Sequence, residues 1–360
     1  RDVEATRQEL VRSGLFSSVR IDHADAPDAS GAVAMTIAVI EGPPRSVGAG
    51  AGYNTNIGVG GQTYWEHRNL FGEGEDLRIS AGAAQKQLGL AATFRRPDVI
   101  ARKIDLLADA ELLKETTDAY RSRRWRGYVG LEDLRQPPYT VGGGISLERA
   151  HLTETSRDEN YLLLGVPLYL RRDTTDDLLD PTVGTRTTLA ATPYHGLLNR
   201  NLNFLSSRVE ARGYQRIGGS DRYVLAGYAA LGSIVGEGLQ GIPADKRLYA
   251  GGAGSVRGYG YQRAGPLDSS DVPIGGRSSL EFGGEFRYRL TQTIGLVPFV
   301  DAGNVYPTNL PNRASLFYGA GLGLRYYTVI GPIRLDLAFP IGKRPSDSAV
   351  QVYISIGQAF

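Results

Sequence analysis

The chain has 360 residues, of which 41% are hydrophobic, and this content excludes a disordered protein. Its 40 Lys and Arg residues against 38 Asp and Glu residues leave a formal charge of +2, which gives no indication of nucleic-acid binding. It contains 47 Gly, 20 Tyr and no Cys, and the lack of thiols fits an oxidising envelope compartment. A spanning helix needs about 20 apolar residues, and the longest apolar-rich uncharged stretch, 223–236, is shorter and is interrupted by Gly and Ser.

Residues 1–43 differ from the rest of the chain because they show helical spacing. A short predicted helix ends at Gly14 and places three apolar residues on one face: Val3, Leu10 and Val11. Two segments with alternating apolar positions, 15–21 and 33–40, then predict a hairpin. A helix plus a hairpin is about half of a small α+β domain, which the following Gly-Pro-Pro at 42–44 ends. The start of the chain has no signal-peptide pattern, so we expect a signal peptide and further protein upstream.

Residues 44–360 predict a mainly β fold. Sixteen segments show strand-like alternation with turn residues between them, and they begin near residues 46, 57, 74, 87, 102, 118, 138, 158, 182, 202, 221, 280, 295, 314, 331 and 349. Most are long enough to cross a bilayer as tilted strands. An even number of long strands favours a closed, 16-stranded antiparallel transmembrane β-barrel.

The distribution of polar side chains along two of these segments supports the barrel. Near 331, one face carries the apolar Ile333, Leu335, Leu337 and Phe339, and the other carries Arg334 and Asp336. Near 280, one face carries Glu281, Glu285, Arg287 and Arg289, opposite Phe282, Phe286, Tyr288 and Leu290. We interpret the apolar face as facing lipid and the polar face as lining a lumen. A soluble sandwich, which buries its apolar face against a second sheet, is the alternative.

One long connection, about residues 236–279, interrupts the strands, and long loops inside compact domains are usually functional. It contains Val256-Arg257-Gly258-Tyr259, which resembles the VRGY/F motif in the sixth extracellular loop of the outer-membrane protein assembly superfamily that includes BamA, TamA and two-partner secretion transporters. The resemblance covers nearly the whole chain, because four further segments match in order and spacing: Gly275-Gly-Arg-Ser278, Glu285-Phe-Arg287, Phe299-Val-Asp-Ala-Gly-Asn-Val305 and Arg68-Asn-Leu-Phe-Gly-Glu-Gly74.

The resemblance also points to subtypes. Residues 14–21 look like the end of a POTRA domain, so residues 1–43 are predicted to be the C-terminal part of one. Three segments, 173–182, 251–261 and 302–306, look closer to TamA than to BamA, whereas the ending at 356–360 resembles that of BamA. The last strand carries an assembly-type signal that ends on an aromatic residue: Ile354, Ile356, Gly357 and Phe360.

The resemblance implies that the long loop folds into the lumen, where Arg257 pairs with Glu285 and Asp301 on the barrel wall. The fork of a guanidinium binds carboxylates bidentately, so this contact would act as an architectural latch. The alternatives are that Arg257 is a solvated loop residue, or that Arg263 takes its place as the partner.

The first barrel strand has no inward side chains at three positions, Gly48, Gly50 and Gly52. Glycine weakens a strand, so a seam between this strand and the last one would open sideways and offer an edge to a client strand. Alternatively, the glycines make room for the inserted loop or a helix in the lumen.

Enzyme chemistry finds no support in the sequence. The four His residues are scattered, no Cys exists, and the acidic segment 173–180 lacks the glycine and glutamate of an EF-hand, so we expect an Asp-rich turn, no metal and no cofactor. No small-molecule substrate is expected.

The resemblance predicts an outer-membrane assembly and insertion factor of TamA type, whose periplasmic N-terminal part and upstream POTRA domains contact unfolded clients such as autotransporters and a TamB-like partner anchored in the inner membrane. The alternatives are a general assembly factor of BamA type and a two-partner secretion pore. A passive porin is disfavoured by the POTRA-like start and the loop motif.

Overall fold

The computed structural model describes residues 3, 6–7, 10–11, 14–24, 26, 30–54, 57–154, 157–198, 202–312, 315–328, 331–356 and 358. Within the predicted N-terminal helix, the described residues with helical backbone are Val3, Thr6, Arg7, Leu10 and Val11. Two antiparallel strands follow, β1 (Phe16–His23) and β2 (Met35–Glu41), which form a separate sheet with Ile21 opposite Ile37. The hairpin expected from the alternating apolar positions is therefore present.

The remaining strands form a closed antiparallel barrel. In the described part of the chain its strands are β3 (Arg45–Asn54), β4 (Gly58–Arg68), β5 (Asp76–Ala84), β6 (Gln87–Arg96), β7 (Ile104–Thr116), β8 (Arg121–Asp133), β9 (Tyr139–Thr153), β10 (Asp158–Gly165), β11 (Leu168–Asp173), β12 (Gly184–Gly196), β13 (Asn203–Ile217), β14 (Ser220–Val235), β15 (Ser278–Arg289), β16 (Ile294–Tyr306), β17 (Phe317–Thr328), β18 (Gly331–Ile341) and β19 (Gln351–Ile356). Each begins within three residues of its predicted start, apart from β11, which was not predicted separately.

The additional strand arises because β10 and β11 are two halves of one barrel position. Both pair with β9 on one side and with β12 on the other, so the described residues make sixteen positions around the barrel. The break falls at Val166-Pro167, because a proline has no N–H with which to continue the ladder. The predicted 16-stranded antiparallel barrel is thus confirmed, with one position interrupted.

The connections have different lengths at the two ends of the barrel. One end, called the loop end here, carries the longest connection, 236–277, together with 307–316 and 342–350. The opposite end, called the turn end, carries the connections that follow β4, β6, β8, β11, β13, β15 and β17. In outer-membrane barrels the longer loops face the cell exterior and the short turns face the periplasm.

The two faces of the strands differ as predicted. On β18, Phe339 is 51% exposed, whereas Asp336 is fully buried in the lumen. On β15, Glu281, Glu285 and Arg287 are buried. Because the outward face is apolar and exposed along the barrel, the polar face must be the inner one, and the soluble sandwich is excluded by the closure of the sheet.

The connection 236–277 folds into the barrel. It contains two short 3₁₀ turns, Leu239–Gly241 and Ala244–Lys246, and its apolar side chains are buried against the inner wall. One buried cluster joins Ile242 to Leu163 and Phe204, and another joins Val256 and Tyr259 to Val305. Among the described residues, none of the helical segments is long and apolar enough to cross a membrane.

Candidate functional site

The buried Arg257 connects the inserted loop to the inner wall of the barrel. Its Nε and Nη2 donate to the two carboxylate oxygens of Asp301, at 2.6 and 2.8 Å, and its backbone N–H donates to the same carboxylate at 3.2 Å. Its Nη1 donates to Glu285 at 2.7 Å and to Asp336 at 3.1 Å. The guanidinium carbon lies 3.5 Å from the ring centroid of Phe299, which adds a cation–π contact. The structure therefore brings Arg257 together with both carboxylates named from the sequence, and with a third.

Three more arginines surround these carboxylates. Arg287 donates to Glu285 at 3.0 Å, and Arg325 donates to Asp336 at 2.5 Å. Arg334 lies 3.2 Å from Asp336. Asp301 differs, because all three hydrogen bonds that it accepts in the described part of the chain come from Arg257. Loss of the Arg257 side chain would therefore leave the buried Asp301 with the backbone N–H of residue 257 as its one donor among the described residues.

The residues on either side of Arg257 fit against the wall by close backbone contact. A Cβ atom on Gly258 would lie 2.6 Å from the carbonyl oxygen of Phe339 and 2.8 Å from the Cα of Gly319. The neighbouring Tyr259 is buried, and its hydroxyl donates to the carbonyl of Ile341 at 3.0 Å. Val256 fills the space over Gly303. All four residues of the predicted motif thus contact the wall formed by β16, β17 and β18.

The last strand also contacts the loop. The hydroxyl of Tyr353 donates to the carbonyl oxygen of Arg257 at 2.9 Å, and Tyr353 is fully buried. The inserted loop is therefore linked to β19, one of the two strands at the seam of the barrel.

A second anchor of the loop lies on the opposite wall, and sequence reasoning missed it. Asp245 accepts hydrogen bonds from Ser122 at 3.1 Å and from Tyr161 at 2.7 Å. The adjacent Lys246 forms an ion pair with Glu148. A further pair joins Arg247 and Glu154 at 3.0 Å, 93 residues apart in the sequence. The Asp-Lys-Arg run at 245–247 shows the charged residues of this anchor in the loop sequence. One sequence alone does not show which residues of the wall bind them.

Arg263 does not take the place of Arg257. It donates to the carbonyl of Asp271 and to Ser346, and it lies 3.6 Å from Asp347. Arg344, which belongs to the connection 342–350, pairs with Asp347 and donates to the carbonyl of Gly265 at 2.8 Å. These contacts join two loops at the loop end of the barrel, away from Asp301 and Glu285.

The seam between the first and last barrel strands is paired at one position. Among the described residues, β19 pairs with β3 through Tyr353 and Asn54, whereas β3 pairs with β4 along its whole length, from Arg45 to Asn54. A cavity of about 700 Å³ lies beside the seam, lined by residues of β3 to β7 and by Ile354, Ser355 and Ile356 of β19. Most of the β3 edge therefore has no strand partner among the described residues.

The three glycines of β3 face the lumen. A Cβ atom on Gly48 would lie 2.2 Å from the ring of Tyr64, so this glycine accommodates an aromatic side chain of β4. A Cβ atom on Gly50 would lie 3.7 Å from the side chain of Gln62, and a Cβ atom on Gly52 would have no heavy atom within 4 Å. In the described part of the chain, the glycines therefore do not make room for the inserted loop.

The connection 174–183 reaches the end of the last strand. Its Asp180 accepts hydrogen bonds from Arg289 and from the side chain of Gln358, each at 2.8 Å. The carbonyl of Leu179 accepts a hydrogen bond from the backbone N–H of Gln358 at 3.2 Å. Gln358 in turn accepts from Arg325 at 2.8 Å. The Asp-rich turn expected from the sequence thus ties the turn end of the barrel to the C-terminal segment.

Another carboxylate holds this turn in shape. Burial disfavours the charged form of Asp176, but hydrogen bonds from the side chain and backbone of Thr182 and from the N–H of Val183 outweigh burial and lower its pKa to about 2. Arg216 also pairs with it at 2.9 Å. Asp176 is therefore ionised at any physiological pH.

The predicted C-terminal signal lies only partly within the described residues. Ile354 and Ile356 lie on the outward face, at 41% and 58% exposure. Gly357 and Phe360 lie outside the described residues.

Comparison with known proteins supplies the family. Residues 69–360 match the model described as the Omp85 superfamily domain. The outer membrane protein assembly factor BamA of Nitratidesulfovibrio vulgaris is 28% identical over 330 residues, which cover 86% of this chain and 41% of that protein. BamA of Neisseria meningitidis serogroup B is 20% identical over 419 residues, covering 99% and 52%. The chain therefore spans about half the length of these curated relatives.

A solved structure has the same fold. The crystal structure of BamA from Haemophilus ducreyi lacking POTRA domains 1–3 superposes with a TM-score of 0.80 at 17% identity, covering 97% of this chain and 77% of that one.

Proposed function

Because the chain belongs to the Omp85 superfamily, we propose that it acts in the bacterial outer membrane as an assembly factor that inserts β-barrel proteins by opening the seam between β3 and β19. The observation that carries this proposal is the edge of β3. Backbone N–H and C=O groups without a strand partner can pair with an incoming strand, which is the basis of β-augmentation. The cavity of about 700 Å³ beside the seam gives such a strand a place to bind.

The type of factor follows the relatives. The TamA type was expected from the segment 173–182, but the curated relatives reported above are named BamA, so we propose a general assembly factor of BamA type. The TamB-like partner and the example of autotransporter clients belonged to the TamA expectation, and the relatives reported above do not support them. The proposed partners are unfolded outer-membrane protein clients and the lipid around the barrel.

The N-terminal residues are proposed to belong to a POTRA domain. The helical residues before Gly14 and the β1–β2 hairpin are elements that such an α+β domain contains. The hairpin forms a sheet separate from the barrel. We place this part in the periplasm, because the chain enters the barrel at the turn end.

The loop motif is proposed to act as a latch that keeps the lumen plugged. Arg257 holds the loop to β15, β16 and β18, and the Asp245–Arg247 run holds it to β8, β9 and the connection after β9. An unfolded substrate cannot pass through the lumen until both anchors are displaced. This supports a seam mechanism over a two-partner secretion pore, and a large stable conductance across planar bilayers would reverse the preference.

Disulfide trapping across the seam tests the mechanism. Continuing the register of Tyr353 and Asn54 places Ile356 opposite Ala51, so Ala51→Cys with Ile356→Cys should form a bridge in a chain that has no cysteine of its own. The protein, reconstituted in vesicles, is supplied with an unfolded β-barrel client, and folded client is measured before and after reduction. We expect oxidation to abolish assembly and reduction to restore it.

A matched variant separates seam opening from general rigidity. Ala49→Cys with Thr63→Cys bridges β3 to β4, which are paired along their lengths, and should leave assembly unchanged when oxidised. Full activity of the Ala51–Ile356 bridge in its oxidised form would rule out opening at this seam.

A further inference from the structure

Four basic side chains gather on the lipid-facing surface at the loop end of the barrel. On β7, β8 and β9, the register places Lys114 beside Arg123 and Arg123 beside His151, while Arg149 lies beside Trp125. The fourth member, Arg121, begins β8. All four face outward, because the alternate residues Ser122, Glu148 and Ala150 are buried inside the barrel. We call Lys114, Arg121, Arg123 and Arg149 the basic patch.

The patch carries charge that the protein does not neutralise. None of its four members forms an ion pair within the described part of the chain. The carboxylates near these residues in sequence have other partners. Glu111 lies 3.6 Å from Arg124, and Glu148 pairs with Lys246. Glu115 accepts a hydrogen bond from Tyr120 at 3.1 Å, and Asp118 pairs with Lys86 at 3.4 Å. The outward Asp158 accepts a hydrogen bond from Thr153 and lies 3.4 Å from His151. Each of these carboxylates therefore has a partner outside the patch.

The depth of the patch matches a lipid headgroup. Lys114 lies two residues before the end of β7 and Arg123 two residues after the start of β8, which puts both within about 7 Å of the strand ends. Directly below lie Trp125, an interfacial type of residue, and the exposed Leu112. A guanidinium at this level can keep its charge among headgroups while its stem covers acyl chain.

The surface is also concave. A groove of about 780 Å³ is lined by members of the patch together with Leu88, Leu90, Leu112 and Trp125. A smaller depression of about 210 Å³ adjoins it toward the loop end, sharing Lys114, Arg123 and His151. The larger groove is apolar at its base and basic at its rim. It is therefore complementary to an anionic lipid, which has apolar acyl chains and a negatively charged headgroup.

We propose that this groove is a binding site for an anionic, phosphate-bearing lipid, with the phosphate between Lys114, Arg121 and Arg123 and an acyl chain along Leu112 and Trp125. Arginine is suited to this role because its fork binds phosphate bidentately and is weakly hydrated. The site requires that the barrel lie in a bilayer, as proposed above, but it does not require that the protein act on clients.

Fluorescence quenching tests the site without any client. Trp125 is one of two tryptophans, so Trp65→Phe leaves it as the reporter. The full chain is reconstituted in phosphatidylcholine vesicles that contain brominated phosphatidylglycerol or brominated phosphatidylcholine. We expect the anionic lipid to quench Trp125 more strongly, and the preference to fall about fivefold for each arginine removed in Arg121→Gln and Arg123→Gln.

A matched arginine is the control. Arg172 also faces outward, but at the turn end, where it donates to Thr185 at 2.9 Å. Arg172→Gln should keep the full preference. Added salt should reduce the preference of the unmutated patch, since exposed charges are screened. Inorganic phosphate at millimolar concentration should not, because it lacks the acyl chain.

Equal quenching by the two brominated lipids would overturn the proposal. So would a loss of preference in Arg172→Gln as large as in the patch variants. Displacement of the brominated anionic lipid by inorganic phosphate alone would show a free-anion site instead of a lipid site. A failure of client assembly with normal lipid preference would refute only the proposed function.

Discussion

The side-chain amide of Gln358 donates a hydrogen bond to Asp180 at 2.8 Å, across 178 residues of sequence. The contact joins the C-terminal segment to the turn between β11 and β12, and the backbone bond from Gln358 to Leu179 reinforces it. The last strand is thus attached at its turn end to the interior of the barrel, while it pairs with β3 at one position among the described residues. The C-terminal segment is therefore held by this turn and by β18, which pairs with β19 from Gln351 to Ile356, more than by β3.

Replacing Asp180 should release this segment. We expect Asp180→Ala to increase the mobility of a spin label on Ser355→Cys, because hydrogen bonds to Gln358 and Arg289 are both lost. Electron paramagnetic resonance in vesicles measures the change. Asp133→Ala, which removes a carboxylate paired with Arg135 at the turn end after β8, is the control and should leave the spectrum unchanged. An unaltered spectrum in Asp180→Ala would show that this contact does not restrain the strand.

Removing Arg257 should destabilise the barrel strongly. In Arg257→Met, the buried Asp301 loses both guanidinium donors and keeps the backbone N–H of residue 257, and breaking a buried pair in this way costs about 3–5 kcal/mol. Adding Asp301→Asn should recover part of the loss, since no uncompensated charge remains. Urea unfolding in lipid vesicles gives the free energies. Arg263→Met, in the same loop but with a weaker pair to Asp347, should cost less than about 1 kcal/mol. Equal costs for the two arginines would contradict the latch.

A methyl group on Gly258 should displace the loop from the wall. The added Cβ would overlap the carbonyl of Phe339 and the Cα of Gly319, and such overpacking costs about 1–3 kcal/mol. We expect Gly258→Ala to make the loop more sensitive to limited proteolysis. Gly254→Ala is the matched control, because a Cβ there meets nothing within 4 Å. Equal digestion of the two variants would argue against a tight fit at Gly258.

The turn at 174–183 should be insensitive to pH until strongly acidic conditions. The pKa of Asp176 is lowered to about 2 in the folded protein, so its ionised form stabilises the turn. This contribution is complete above about pH 4, the ordinary pKa of aspartate, and is lost as the pH falls toward about 2. The difference in thermal unfolding midpoint between the unmutated chain and Asp176→Asn should therefore be constant from pH 7 to 5 and disappear near pH 2. A difference that persists at pH 2 would exclude this linkage.

The strands could be predicted because alternation is a local property of the sequence. The alternation of residues such as Leu335 and Asp336 shows which face of the strand each one occupies, without information on the neighbouring strands. The break after Gly165 was not predicted, although Pro167 indicates it, because a proline has no N–H to donate to the strand ladder.

The site was harder to predict because parity says which side chains enter the lumen, not which of them meet. Asp336 was assigned to the inner face but not to Arg257, since the distance between them depends on the curvature of the barrel. The contacts of Asp245 with Ser122 and Tyr161 depend on the path of the loop across the lumen, which alternation cannot give. The role of Gly48 depends on the position of the Tyr64 ring, and one sequence does not show a side-chain conformation.

The position of Arg257 also constrains the order in which the protein acquires its structure. The loop leaves the wall after β14, yet its partners Asp301, Asp336 and Tyr353 lie on strands that follow it in the sequence. Contacts of such long sequence separation form slowly, because much chain must be ordered before they do. The loop therefore cannot lock until β18 and β19 arrive, so completion of the plug and completion of the wall become a single late step of folding.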